Sequence, residues 1–210
     1  TVLERLPKRE FNAGLQKLLQ GIITRHKRVI FNGDNYSKDW LKEAERRGLP
    51  HLRNTPEALK QLLSAKAEKV FGTYQVLSRS ELHSRYEVYQ EQYHKTIMIE
   101  GRLALDMART MILPVAVKQQ DLLAGLLLRR QQLKLKASDQ ALRRRLEQLA
   151  ALSDDLCAAM DALSIALHSG KTPEIIARQN RLRQVADQLE LEVDDQLWPL
   201  PKYGEMLFLY

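Results

Sequence analysis

Glu91-Gln92-Tyr93-His94 is where residue types and spacing come nearest to a metal centre in this chain. Glu-x-x-His puts both side chains on one helical face, the ligand arrangement of di-iron carboxylate bundles. Such a centre needs a second copy on another helix, and the sequence holds none. With His83 and Glu87 nearby, the pattern reads as a polar stripe facing solvent, and His26, His51 and His168 each stand alone. Cys157, the single cysteine, follows a leucine seam and has Asp154, Asp155 and Asp161 around it. A nucleophilic thiol wants a base and a positive setting, so a structural thiol is expected. Asn32-Gly33-Asp34 has one glycine in a turn and lacks the pattern that cradles phosphates. Arg102, Asp106 and Arg109 are spaced to pair along one helix, and an ion-pair ladder is preferred there over a binding site. Arg143-Arg144-Arg145 lies in a stretch without aromatics and reads as a solvated helix face. No catalytic, cofactor-binding or metal residue is assigned from these spacings.

The elements that would position any site are helical. The 210 residues are 44% hydrophobic but only 6% aromatic, with 9 Gly and 7 Pro. Leu, Ala, Gln, Glu, Lys and Arg dominate, and these are strong helix formers. A core is affordable at this length and whole-chain disorder is excluded. One cysteine excludes a disulfide scaffold. The longest strongly apolar run covers residues 122–128, far short of the about twenty residues of a membrane helix, so no membrane partner is expected. With no signal-peptide pattern, a cytoplasmic location is expected. The chain opens on Thr1 rather than Met, so a processed product or a piece of something longer is expected.

The net charge of +7 is unevenly spread. Residues 101–150 carry 10 basic and 4 acidic side chains, whereas residues 151–210 carry 5 and 10. These two regions can face one another if the chain folds back. Without an aromatic-lined basic groove, the charge argues against a nucleic-acid partner.

Phe11, Leu15, Leu18 and Ile22, with Leu19 and Ile23 beside them, give a first helix to about His26. Ser37 caps a second helix that Gly48 and Pro50 stop. Thr55-Pro56-Glu57 starts a third, with Thr55 as its cap, running to near Gly72. Ser78-Arg79-Ser80-Glu81 has capping-box spacing. Leu82, Tyr86, Tyr89, Tyr93, Ile97, Ala104, Met107 and Met111 then follow one stripe, with Glu100 its polar exception. Pro114 should kink or break that helix. Patterning resumes over 115–135, and Ala137-Ser138-Asp139 reads as a corner. Leu142, Leu146, Leu149, Leu152, Leu156, Met160, Leu163 and Leu167 form a seam ending at Gly170. Thr172 caps a last helix whose face is Ile175, Leu182, Ala186, Leu189 and Val193. The Trp198-to-Tyr203 tail should dock as an extended strap. The reading is therefore all-α: shorter helices with loops over 1–100, then over 101–210 a long-helix antiparallel bundle and an extended C-terminal strap.

Several blocks resemble the end of type III glutamine synthetases. They are Phe31-Asn32-Gly33-Asp34-Asn35-Tyr36-Ser37, Glu43-Ala44-Glu45-Arg46-Arg47-Gly48-Leu49-Pro50 and Thr55-Pro56-Glu57-Ala58-Leu59. Glu81-Leu82-His83-Ser84-Arg85-Tyr86-Glu87 and the stretch 97–114, with Ile99-Glu100 and Ile112-Leu113-Pro114, continue the series. Trp198-Pro199-Leu200-Pro201-Lys202-Tyr203 with Leu207-Phe208 is similar to the family's C-terminal signature. The blocks come in family order from near residue 1 to residue 210, while residues 115–195 carry helical pattern alone.

The resemblance implies a parent that ligates ammonia to glutamate with ATP through a γ-glutamyl phosphate, using Mg²⁺ or Mn²⁺. Carboxylates hold such metals and arginines neutralise the transferring phosphoryl group. The family's K-P-x-x-G-x-N-G-S-G-x-H segment and the Asn-Arg segment after it do not occur here. The implied chain is thus the helical end of the catalytic domain followed by the type III extension, with no cofactor of its own. No metal or nucleotide residue carries over; the turn 32–36 corresponds to a loop near the nucleotide entrance of related enzymes. The implied partners are the rest of the parent chain and neighbouring subunits of a homo-oligomer, a dodecamer in that family. The rival readings are a free-standing helical protein–protein interaction module and a basic nucleic-acid-binding bundle.

Overall fold

The computed structural model describes residues 8–136 and 138–207. Every regular element among them is helical, as the sequence predicts. The chain divides into two compact units, 1–82 and 83–210.

In the first unit, α1 (Lys8–His26) ends where the periodicity ends. Its stripe is not packed: Phe11, Leu18, Leu19, Ile22 and Ile23 are exposed, Ile23 to 54%. Ser37 caps α2 (Lys38–Arg46) as expected, its Oγ accepting from Trp40 N at 3.2 Å. Gly48 follows with φ +67°, the left-handed conformation that a helix end favours in glycine. Two expectations fail. The cap of α3 (Thr55–Leu59) is Asn54, whose Oδ1 accepts from Glu57 N at 2.9 Å. Thr55 and Pro56 sit one place later, within the first turn, where proline's missing N–H costs nothing. The third helix also stops early. A 3₁₀ turn over Lys60–Leu63 leads to Ser64, whose extended backbone and hydroxyl start α4 (Ala65–Thr73). A serine offering its own oxygen to the backbone is a local competitor to helix continuation. Leu82 is the one buried residue among those of this unit whose burial is described.

Helix α5 (Arg79–Met107) begins on the expected capping box: Glu81 N donates to Ser78 Oγ, and Ser78 N donates to Glu81 Oε2 at 2.7 Å. Pro114 does not break it. A π turn over Ala108–Ile112 leads directly into α6 (Leu113–Gln132). A proline ring clashes with the carbonyl four residues back in a regular α-helix, and the wider π turn relieves this by changing the register of the preceding bonds. The buried stripe also differs from the expected one. It runs through Gly101, Leu105, Ala108, Ile112, Ala116, Gln119, Leu123 and Leu127, while Ala104, Met107 and Met111 flank it. At Gly101 a Cβ would lie 3.0 Å from Leu167 Cδ2 and 3.1 Å from Ile175 Cγ2, so the helices meet closely there.

The continuous helix α5–π–α6 is long and apolar enough to cross a membrane by length and composition alone, with mean hydropathy 1.4 over an 18-residue stretch that is 22% buried. The seven-residue apolar run had suggested that no helix would be. The polar run Lys118-Gln119-Gln120-Asp121 lies within α6, whose inner face packs on α7 (Gln140–Ser169).

The seam of α7 is as expected: Leu149, Leu156, Met160, Leu163 and Leu167 are buried, Leu156 to 0% exposure. It ends at Gly170, φ +67°. At the corner before it, Asp139 takes the N-cap position and pairs with Arg130 at 3.2 Å; Ala137 lies outside the described residues. Helix α8 (Thr172–Glu192) buries Ile175, Leu182, Val185 and Leu189 against α7. Its N-cap position is Lys171, not Thr172. The basic and acidic regions do face one another, through Arg145–Glu192 at 3.3 Å. Among the described residues no buried side-chain polar atom lacks a partner. Gln120 Nε2, for example, donates to buried Ser153 Oγ at 2.7 Å. Trp198 docks on this core with Leu197 and Leu200 beside it. From there the tail is non-helical to Lys202, then α9 (Tyr203–Leu207) makes one turn on which Leu207 is exposed rather than docked. Phe208 and Tyr210 lie outside the described residues.

Candidate functional site

The turn 32–36 is held by an aromatic and arginine cluster that the sequence reading did not single out. Phe31 and Trp40 stack with centroids 4.4 Å apart and planes 25° apart. The Arg47 guanidinium lies 5.9 Å and 5.7 Å from the two ring centroids, within cation–π range. Its Nη1 donates to the Ile30 carbonyl at 2.7 Å, so one side chain ties the end of α2 to the strand of chain before the turn. Glu43 accepts from Arg46 through both oxygens, at 2.6 and 2.7 Å, and from Arg47 at 2.5 Å. These hydrogen bonds, Arg46's first, lower the Glu43 pKa to about 2, and Arg46 is raised in turn. Within the turn, Asp34 Oδ1 accepts from Tyr36 N at 2.9 Å and Ser37 Oγ donates to Asp34 O at 2.8 Å. A Cβ at Gly33 would sit 2.6 Å from Phe31 Cζ, on a ring already fixed by Trp40. The outcome is a rigid base presenting Tyr36 at full exposure. The weak signal for it was Trp40 in α2 and Arg47 at its C-terminal cap, seven residues apart.

This geometry can hold a loop in place; it does not fit a divalent metal. Mg²⁺ and Mn²⁺ want several free oxygen ligands, and Glu43 is taken up by two guanidinium groups. Among the described residues no group of three or more His, Cys, Asp or Glu could hold an ion. The Glu-x-x-His pair is engaged elsewhere: Glu91 pairs with Lys95 at 2.7 Å. His94 is half-buried, with Nδ1 2.8 Å from Thr172 Oγ1. It pins the start of α8 rather than facing solvent. Cys157 is a half-buried free thiol. The expected ladder is not formed: among the described residues neither Arg102 nor Arg109 makes an ion pair with Asp106, and both line a groove against α7. A second groove, of 650 Å³, lies on α2, with Lys38, Lys42, His51, Arg53 and Glu45 in its wall.

Comparison with known proteins places this chain in a family. A family model described as glutamine synthetase C-terminal domain matches residues 14–131. A type-3 glutamine synthetase of Dictyostelium discoideum is 34% identical over 92% of this chain and 28% of its own length. Glutamine synthetases of Butyrivibrio fibrisolvens and Bacteroides fragilis are each 29% identical over 95% of this chain, and 30% and 31% of theirs. The chain therefore spans less than a third of the curated relatives it matches. The motif blocks, the helical fold and these matches agree: the chain belongs to the glutamine synthetase C-terminal domain family.

Proposed function

We propose that this chain acts as the carboxy-terminal part of a type III glutamine synthetase and that its own role is structural. Helices α1–α4 complete the helical flank of the catalytic domain, and the bundle of the second unit supplies contacts between subunits of a cytoplasmic homo-oligomer. The parent reaction is then ATP-dependent ligation of ammonia to glutamate, with ATP and its Mg²⁺ or Mn²⁺ held by residues outside this chain.

One observation carries this reading. The second unit buries a core of its own, but the amphipathic stripe of α1 lies exposed. A contiguous apolar face of this kind marks a surface that another element covers. The relatives are more than three times longer than the match, which supplies a candidate for that cover.

The test is complementation. The upstream two-thirds of a type III synthetase, expressed separately, should form a stable complex with this chain and make glutamine, while neither piece does so alone. Leu18→Asp with Ile22→Asp should abolish the complex without unfolding the second unit. Glutamine formed by this chain alone, or no complex with the upstream part, would overturn the proposal.

A further inference from the structure

We propose that the groove between the end of α5 and the last turns of α7 binds a small phosphate-bearing anion through Arg102, Arg109, Ser164 and His168. The groove measures 390 Å³, and Leu105 and Leu167 complete its wall. Both leucines belong to the buried core, so the wall is rigid. Arg102 and Arg109 are seven residues apart and share a helical face, about 10 Å along the axis. Arg109 lies in the π turn over Ala108–Ile112, a distortion that recurs at functional sites in helices.

Charge and hydrogen bonding both point to an anion. Among the described residues neither Arg102 nor Arg109 makes an ion pair, and no carboxylate lines their groove. Asp106, on the same helix, and Asp161, one turn before Ser164, stay outside it. His168 Nδ1–H donates to the Ser164 carbonyl at 2.7 Å, which fixes the ring and leaves Nε2 for a ligand. Nε2 and the Ser164 hydroxyl can each hydrogen-bond to a phosphate group, and the planar guanidinium forks match the remaining oxygens. The inference does not depend on the catalytic parentage proposed above.

The experiment follows the His168 imidazole by NMR in the whole chain as inorganic phosphate, tripolyphosphate, acetate or chloride is added at constant ionic strength. His168→Gln identifies the resonance. Phosphate or tripolyphosphate should give a saturable shift that acetate and chloride do not. Tighter binding of tripolyphosphate would mark a ligand that spans both arginines, and equal binding a single phosphate between them. Arg102→Gln and Arg109→Gln should each weaken binding about tenfold, the loss of one charge-assisted contact. Arg183→Gln, away from the groove, should leave binding unchanged. All four side chains but Ser164 are exposed, so the arginine variants fold, which helical circular dichroism checks. No saturable shift, an equal response to acetate, or undiminished binding in both arginine variants would overturn the proposal.

Discussion

Replacing Leu156 by Ala separates the unit that owns a core from the one that does not. Leu156 is fully buried in the seam of α7, between that helix's neighbours α6 and α8. Removing its isopropyl end forfeits about 2 kcal/mol of transfer free energy, and the cavity left behind brings the total to about 3–4 kcal/mol. For a unit of about 130 residues the unfolding entropy is about 0.27 kcal/mol per degree, so the melting temperature should fall by about 11–15 °C. Leu18→Ala is the matched control. Leu18 is 43% exposed on α1 and packs on little, so in this chain the change should stay within about 0.5 kcal/mol. Thermal melts followed by circular dichroism at 222 nm read both variants. Equal shifts for the two would mean that α1 is packed in solution as firmly as α7. A Leu156→Ala shift of a degree or two would mean that the seam is not the core.

Two further outcomes follow from local geometry. Because the folded pKa of Glu43 is depressed to about 2, its clamp on Arg46 and Arg47 is fully present above the ordinary value of 4.5 and is lost as pH falls towards 2. The Glu43 carboxyl signal should therefore titrate near 2, and a midpoint near 4.5 would dissolve the clamp. At Gly101, valine should lower the melting temperature by an amount equivalent to about 1–3 kcal/mol, because its methyl groups enter space held by Leu167 and Ile175. Alanine should come out within about 1 kcal/mol, since helix propensity offsets the tight contact. A stabilised Gly101→Val protein would refute the close approach of α5 to α7 and α8.

Strong local signals in the sequence carried through to the structure, and cooperative packing was where the reading failed. Ser37 and the Ser78–Glu81 box cap helices because each places an oxygen next to an orphan N–H, a requirement met within four residues. The α7 seam was legible because leucines at steps of three and four leave one possible inner face. The α5 stripe was misread for two reasons. Gly101 packs by having no side chain, so an apolar count passes over it. The π turn then adds to the local residues per turn, and a fixed helical period drifts off the buried face. Thr55 and Thr172 were each placed one position early, since Asn54 and Lys171 precede them and proline is tolerated at either of the first two helical positions.

The Arg102–Asp106–Arg109 spacing shows why the same pattern could not settle a site. Intrahelical pairs at these spacings are worth only about 0.3–0.5 kcal/mol, less than RT. A long side chain gives up such a pair readily when a groove beside it offers contact for its aliphatic stem. Arg102 and Arg109 have that groove, formed with Leu105, Leu167, Ser164 and His168, and the residues facing them come from a helix more than fifty positions away. Phe31, Trp40 and Arg47 repeat the lesson at shorter range. Each is unremarkable where it stands, and the stack exists because the chain between Arg28 and Ile30 presents its carbonyls to Arg47. Spacing along one helix specifies which side chains can meet; which of them do is decided by the second element, whose position the same spacing does not encode.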